Sequence, residues 1–219
     1  MRRIILTTVA LSALSLVGCK SSGTYVKAMD AVGFEKRDML MDRLQEARDS
    51  QVEAKQQLQT ALYTLRRIES VPPTELSDLH DDLESEVGKT ESEINDYKSD
   101  IAAVEAVANE MFSDWEEDLT KYDDAELREQ SLADLRDTRR NYSALIAELR
   151  QTEQKLSAML PALQDQVLFV EHSINAGARP TEDEKLDEVR EQISTLIEDL
   201  EGSIDRTQRF IEEGIEASA

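Results

Sequence analysis

The sequence predicts an all-α protein, an elongated antiparallel bundle of about four helices with coiled-coil-like packing. Three observations support this prediction. The composition, with 7 Gly and 4 Pro in 219 residues and 33% charged residues, is typical of long helices. Apolar residues recur at alternating spacings of three and four along most of the chain. The connections between the helical segments are short, which forces neighbouring helices to run antiparallel.

The first helix is predicted from about Phe34 to Ser70. Gly33 separates it from the preceding segment, and Pro72-Pro73 should end it because the residue before a proline disfavours helical geometry. Its apolar stripe is Leu40, Leu44, Ala47, Ala54, Leu58, Leu62, Leu65 and Ile68.

The second helix has the clearest pattern, two interleaved heptad columns that continue for about six repeats. A period of 3.5 residues sustained this far indicates left-handed, coiled-coil-like packing. Thr74 is the expected N-cap, since it follows the proline pair. One column is Leu76, Leu83, Thr90, Tyr97, Val104 and Met111, and the other is His80, Val87, Ile94, Ile101, Ala108 and Trp115.

The third helix should begin near Asp123 or Asp124, where Asp123-x-x-Glu126 offers a capping box. Pro161 lies within its apolar stripe and should kink the helix without ending it. Gly177 is the expected glycine just past its C-terminus. The stripe is Leu135, Tyr142, Leu145, Leu149, Leu156, Leu163, Val167, Val170 and Ile174.

The last helix should follow Pro180, with Thr181-x-x-Glu184 as a second capping box. It is the shortest pattern and should cover only part of the rod. Helices of about 40 to 50 residues would be roughly 60 to 75 Å long at 1.5 Å per residue. The stripe of this helix is Leu186, Val189, Ile193, Leu196 or Ile197, Leu200, Ile204 and Ile211.

Residues 1–18 have the plan of a secretory signal peptide, in which Arg2 and Arg3 precede an apolar run. The run is about 15 residues long, whereas a spanning helix needs roughly 20. An uncleaved anchor is the alternative. On this interpretation residues 19–33 form the N-terminus and tether, and residues 34–216 form the helical bundle.

The only cysteine follows this run directly, and its surroundings resemble the lipobox of bacterial lipoproteins, formed here by Leu16, Val17, Gly18 and Cys19. The resemblance implies that the Cys19 thiol is lipidated and that cleavage falls just before it. A buried free thiol is the alternative. Lys20 follows, where an aspartate is typical of retention in the inner membrane of Gram-negative bacteria. The resemblance therefore implies an anchor at the periplasmic face of the outer membrane.

The formal net charge is −22, and removal of the signal would bring it to about −24 because Arg2 and Arg3 leave. This acidity excludes nucleic acid as a partner, since its phosphates need Lys and Arg. It also argues against broad contact with an anionic lipid surface. The single cysteine excludes a disulfide within the chain.

No enzymatic chemistry is predicted. A di-iron bundle needs Glu-x-x-His pairs that face inward, but Ser77 precedes His80 by three residues and Phe169 precedes His172. His80 is expected at the edge of the helix seam and His172 on the surface. We therefore predict no metal ligand and no cofactor.

Arg136, Arg139 and Arg140 share one helical face, where like charges disfavour the helix by about 0.2–0.5 kcal/mol per pair. An acidic neighbour, such as 114–118, would relieve this repulsion. The alternative is an anion-binding patch for a lipid or cell-wall group. Phe112 and Trp115 are expected to plug the end of the bundle, and a ligand groove is the alternative.

Several long blocks of the sequence resemble an uncharacterised bacterial lipoprotein family, domain-of-unknown-function family 2959. They are "GFEKRDMLMDRLQEARDSQVEAKQQLQTAL" from Gly33, then "FSDWEEDL", "LRDTRRNYSALIAELRQTEQKL" and "LPALQDQVLFVEHSINAGA". The resemblance covers Tyr25 to Ala178. It implies a helical envelope lipoprotein and supplies no activity or catalytic residue.

These observations favour a lipid-anchored structural or protein-interaction module of the cell envelope. Its partners would be the membrane, through the N-terminal lipid, and other envelope proteins, while self-association is left open. The alternative is a binding module with a groove for a lipid or an unfolded client.

Overall fold

The computed structural model describes residues 36–178 and 184–216. These residues form four α-helices and one short 3-10 turn, with no strand among them, so the predicted all-α fold is confirmed. The third helix has 51 residues and the fourth 33, which corresponds to about 77 and 50 Å. The helices are α1 (Lys36–Arg67), α2 (Leu76–Leu119), α3 (Ala125–Asn175) and α4 (Glu184–Glu216).

The helices pack in an up-down-up-down arrangement in which α1 contacts α2 and α4, and α3 contacts the same two helices. Ion pairs between neighbouring helices show which residues of the antiparallel helices lie at the same level. Lys36, at the start of α1, pairs with Asp114 near the end of α2. Farther along, α3 and α4 are joined by Lys155 and Asp199, whose atoms Nζ and Oδ2 are 2.6 Å apart. The α3–α4 contact is the least extensive of the four.

One continuous apolar core runs through the bundle and follows the predicted heptads closely. In α2 the exceptions lie near the ends, where His80, Met111 and Trp115 are only partly buried. Leu79 takes the core position beside His80, because it lies three residues after Leu76 on the same helical face. The apolar stripe predicted for the first helix is buried throughout, including Ile68, which lies in the turn after α1.

The predicted start of α3 near Asp123 or Asp124 is confirmed, but the predicted N-cap Thr74 and the capping box Asp123-x-x-Glu126 are wrong. Thr74 lies inside the 3-10 turn Pro73–Glu75, where the Glu75 amide donates to the Pro72 carbonyl oxygen at 2.9 Å, so the backbone itself satisfies this turn. Asp124, not Asp123, caps α3 and accepts from the amides of Glu126 and Leu127 at 2.8 and 3.1 Å. Glu126 is therefore the second helical residue, one position too early for a capping box.

The predicted end of α3 is confirmed. Gly177 has a φ of +62°, the left-handed conformation that glycine adopts without strain. Its amide donates to the carbonyl oxygen of Ile174 at 3.0 Å, and the amide of Ala178 donates to that of Ser173 at 3.0 Å, which completes a Schellman motif. Pro161 is exposed and α3 continues through it. The predicted capping box at Thr181 lies outside the described residues.

Candidate functional site

Four buried polar side chains form a layer across the middle of the core, here called the polar layer: Gln51, Tyr97, Ser203 and Thr207. The Gln51 amide nitrogen donates to the Tyr97 hydroxyl oxygen at 2.9 Å and to the Ser203 hydroxyl oxygen at 2.8 Å. The Tyr97 hydroxyl donates to the Leu149 carbonyl oxygen at 3.1 Å. The layer therefore joins all four helices through hydrogen bonds.

The heptad pattern explains why these polar groups lie in the core. Gln51 occupies the seam of α1 between Ala47 and Ala54, and Ser203 and Thr207 continue the seam of α4 after Leu200. The sequence analysis included Tyr97 but missed the other three, and it placed Ile204 where Ser203 is buried. The available signal was a polar residue at a seam position in each of two helices.

The polar layer is electrically neutral and closed to solvent. Burial raises the pKa of Tyr97 well above its usual value, and the hydrogen bond from Gln51 opposes this only in part, so the hydroxyl stays protonated. The Thr207 hydroxyl donates to the Ser203 carbonyl oxygen at 2.9 Å, and its oxygen lies 3.4 Å from the Gln51 carbonyl oxygen. Single buried polar residues fix register in coiled coils, so we expect this layer to fix the relative register of the four helices.

The predicted arginine face lies on α3, where Arg136 and Arg140 are exposed and Arg139 is half-buried. Arg139 donates to a carboxylate oxygen of Glu116 at 2.7 Å, so the stretch 114–118 supplies an acidic neighbour. Its guanidinium also lies over the Phe112 ring, 4.9 Å from the centroid. Arg140 pairs at 2.7 Å with Asp137 of its own helix. Anion binding at this face stays a prediction.

The aromatic residues near the end of α2 are built into the packing. Phe112 is buried and meets Tyr142 edge-to-face, with ring centroids 5.5 Å apart. Trp115 is half-buried, and its indole nitrogen donates to the Ser131 hydroxyl oxygen at 2.9 Å. Through these contacts α2 packs against α3 near the turn that connects the two helices.

Among the described residues, one group has the ligand types and spacing for a metal ion: His80, Asp81 and Glu84. Their ligand atoms lie within 4.8 Å of one another, but both carboxylates are exposed and all three side chains come from one turn of α2. His172 is exposed at the end of α3, the surface position predicted for it.

A groove of about 700 Å³ runs between α3 and α4, the pair with the least extensive contact. Its apolar surface includes Met159 and Leu196, and Ala158 and Thr195 leave room because their side chains are short. Three carboxylates line it, those of Glu188, Glu191 and Asp199.

The described geometry defines a class of protein, an all-helical, antiparallel four-helix bundle with a heptad core. The chain belongs to the family described as protein of unknown function (DUF2959), whose model matches residues 25–213. No curated protein and no solved structure matches it. Within the described helices, no stretch is long and apolar enough to cross a bilayer. Cys19 and its predicted lipobox lie outside the described residues.

Proposed function

We propose that this protein is a lipid-anchored structural or protein-interaction module of the bacterial cell envelope, held by Cys19 at the periplasmic face of the outer membrane. The observation that carries the proposal is a lone cysteine behind an apolar run, joined to a closed helical rod. The polar groups of the polar layer are hydrogen-bonded within the bundle, so the outer faces of the rod are the surfaces that we expect partners to contact.

The length of chain between Cys19 and the bundle is compatible with an anchored rod. The 16 residues between Cys19 and Lys36 span at most roughly 55–60 Å when fully extended. The acidic surface is repelled by anionic lipid, which would hold the sides of the rod away from the bilayer. An anchored rod of this length would present its faces to other envelope proteins.

The anchor is tested by feeding cells an alkyne-bearing fatty acid and measuring label on the protein. The native chain should take up label and fractionate with membranes, whereas Cys19→Ser should lose the label and stay at precursor size. Lys20→Asp is the matched control, which should keep the label and move the protein to the inner membrane. Label that persists in Cys19→Ser would contradict the proposal.

The interaction role is tested with a photo-crosslinking residue placed at an exposed position in living cells. Tyr63 and Leu168 are suitable because their side chains are 64% and 49% exposed and lie on different helices. Discrete adducts that depend on the native anchor are expected from at least one position, and an adduct of twice the chain mass would identify self-association. Adducts that are unchanged by Cys19→Ser would speak against an envelope partner.

The groove between α3 and α4 favours a second candidate function, a binding module for a lipid or an unfolded client. Its volume of about 700 Å³ lies within the range of small-molecule sites. An apolar fluorescent probe should then bind the folded protein, and Ala158→Leu should abolish binding by filling the groove. Gly88→Ala is a control because Gly88 lies on α2, away from the groove. Probe binding that survives Ala158→Leu would exclude this site.

A further inference from the structure

The end of the bundle formed by the α2–α3 turn leaves apolar side chains partly uncovered. This surface, here called the α2–α3 tip, consists of Trp115, Leu119, Tyr122, Leu127 and Leu132. Tyr122 and Leu127 are 40% and 53% exposed, and the other three are half-buried. Exposed apolar side chains near one end of a bundle are typical of a surface that binds a partner or another segment.

At this end α2 and α3 extend beyond the described residues of α1 and α4. Lys36, the first residue of α1, pairs with Glu110 and Asp114, and α2 continues to Leu119, about 8 Å farther. On the other side, Arg206 of α4 pairs with Glu148. By the antiparallel register, the end of α4 is then level with about residue 138 of α3, so residues 125–137 continue for roughly 20 Å beyond it.

The chain immediately before Lys36 is suited to this surface by position, length and chemistry. Because α1 runs away from the tip, Lys36 is at the end of α1 that faces the tip, and the upstream chain joins the bundle there. The stretch 25–35 contains Tyr25, Val26, Met29, Val32 and Phe34. It also lies within the family match, which begins at residue 25. Eleven residues cover about 16 Å even in helical form.

Charge distinguishes two possible occupants of the tip. The turn beside the tip, residues 117–124, is acidic, with four carboxylates and one lysine. The upstream stretch carries Lys27 together with Asp30 and Glu35, so it adds only one net negative charge and would dock through its apolar side chains rather than through charge. A second copy of this chain would bring one acidic tip against another, which like-charge repulsion disfavours more strongly.

We propose that residues 25–35 dock on the α2–α3 tip of the same chain and complete the bundle at that end. The docked segment would leave only residues 20–24 as a free linker after Cys19. The base of the rod would then be held close to whatever Cys19 is attached to, and its orientation would be limited. The proposal does not depend on lipidation, because the uncovered surface and the upstream segment are present in either case.

Disulfide trapping in the purified whole chain tests the proposal. Val32→Cys is combined with Leu119→Cys or with Leu127→Cys, and the oxidised protein is digested and mapped by mass spectrometry. An intrachain disulfide between residue 32 and at least one tip position is expected. The control pair is Val32→Cys with Tyr63→Cys, because Tyr63 is exposed on the opposite half of α1. Disulfides that form only between chains, equally with the control position, or not at all would overturn the proposal.

Trp115 provides a second measurement because it is the only tryptophan and belongs to the tip. Val32→Ser combined with Phe34→Ser should shift Trp115 emission to longer wavelength and increase its quenching by acrylamide. Leu168→Ser, an exposed substitution remote from the tip, should leave both unchanged. Unchanged emission in the double variant would overturn the proposal, and circular dichroism verifies that the bundle is intact in each variant.

Discussion

Two buried tyrosines, Tyr97 and Tyr142, differ in the hydrogen bonding of their hydroxyl groups. The Tyr97 hydroxyl is hydrogen-bonded to Gln51 and to the Leu149 carbonyl oxygen. The Tyr142 hydroxyl is buried, and no described residue offers it a hydrogen bond. Burial raises the pKa of both side chains, so both hydroxyls are protonated at neutral pH. The same atom therefore stabilises the bundle at one position and is an uncompensated polar group at the other.

Removing each hydroxyl should change stability in opposite directions. Tyr97→Phe should lower the free energy of unfolding by about 1–2 kcal/mol, because the Gln51 amide and the Leu149 carbonyl lose a partner. Tyr142→Phe should leave it unchanged or raise it by up to about 1 kcal/mol, since the ring contact with Phe112 is kept. Urea denaturation of the two variants measures both effects. Equal losses would show that the Tyr142 hydroxyl has a partner in solution.

A second matched pair compares two glycines. Gly177→Ala should cost about 1–2 kcal/mol of unfolding free energy, because an alanine at a φ of +62° is strained. Gly88 is exposed in the middle of α2, and a Cβ there would meet no atom within 4 Å. Gly88→Ala should therefore stabilise by about 0.5–1 kcal/mol through helix propensity. Thermal denaturation distinguishes the signs, and a loss in both variants would contradict the assignment of Gly88 to open helix surface.

At the scale of elements, we expect the polar layer to fix the register of the four helices relative to one another. Gln51→Leu alone should lower the unfolding free energy by about 1–3 kcal/mol, since Tyr97 and Ser203 lose a buried partner. Adding Ser203→Ala and Thr207→Val should recover much of this loss, because the polar group then left in the layer, the Tyr97 hydroxyl, keeps its bond to the Leu149 carbonyl oxygen. This triple variant should populate more than one helix register, which would be visible as doubled amide peaks in its NMR spectra. A triple variant with one set of peaks would refute the register role.

The helices themselves could be predicted from sequence, but their ends and the polar layer could not be predicted fully. Periodicity located the seams because burying a leucine stripe is the dominant favourable term in these helices. Cap residues depend on local hydrogen bonds that differ by a single position, so the sequence left Asp123 and Asp124 both open and its capping box fell on Asp123. Gln51 was missed because its burial is favourable only when Tyr97 and Ser203, distant in sequence, are close enough to bond with it.

At the scale of the whole molecule, electrostatics oppose folding. A net charge of −22 on a closed bundle places many carboxylates close together, so added salt should raise the unfolding midpoint by screening them. Cross-helix pairs such as Arg150 with Glu105, joined at 3.1 Å between Nε and Oε1, offset part of this repulsion. The balance between repulsion and ion pairing differs from one carboxylate to the next, and the pKa values of individual glutamates show this.

Glu93 and Glu86 of α2 illustrate both directions. Partial burial raises the pKa of Glu93 above 4.5, and Glu53 and Asp96 raise it further. Its ionised form therefore opposes folding, and this cost is relieved as pH falls through the raised pKa. For Glu86, partial burial acts to raise the pKa, but hydrogen bonds from Lys89 and Gln57 outweigh it and the net pKa is lowered. Its contribution favours folding above the unfolded pKa and is lost as pH falls through the lowered one.

Neutralising these two side chains should consequently have opposite effects at pH 7. Glu93→Gln should raise the unfolding free energy by about 0.2–0.5 kcal/mol, the size of one like-charge pair, and this gain should vanish in acid, where the native Glu93 is protonated. Glu86→Gln should lower it by about 0.2–1 kcal/mol, because the ion pair with Lys89 is lost. Urea denaturation between pH 7 and pH 3 follows both variants against the native chain. A Glu93→Gln gain that persists at the acid end would show that packing rather than charge is responsible, since protonation removes the charge from the native side chain and leaves its shape unchanged.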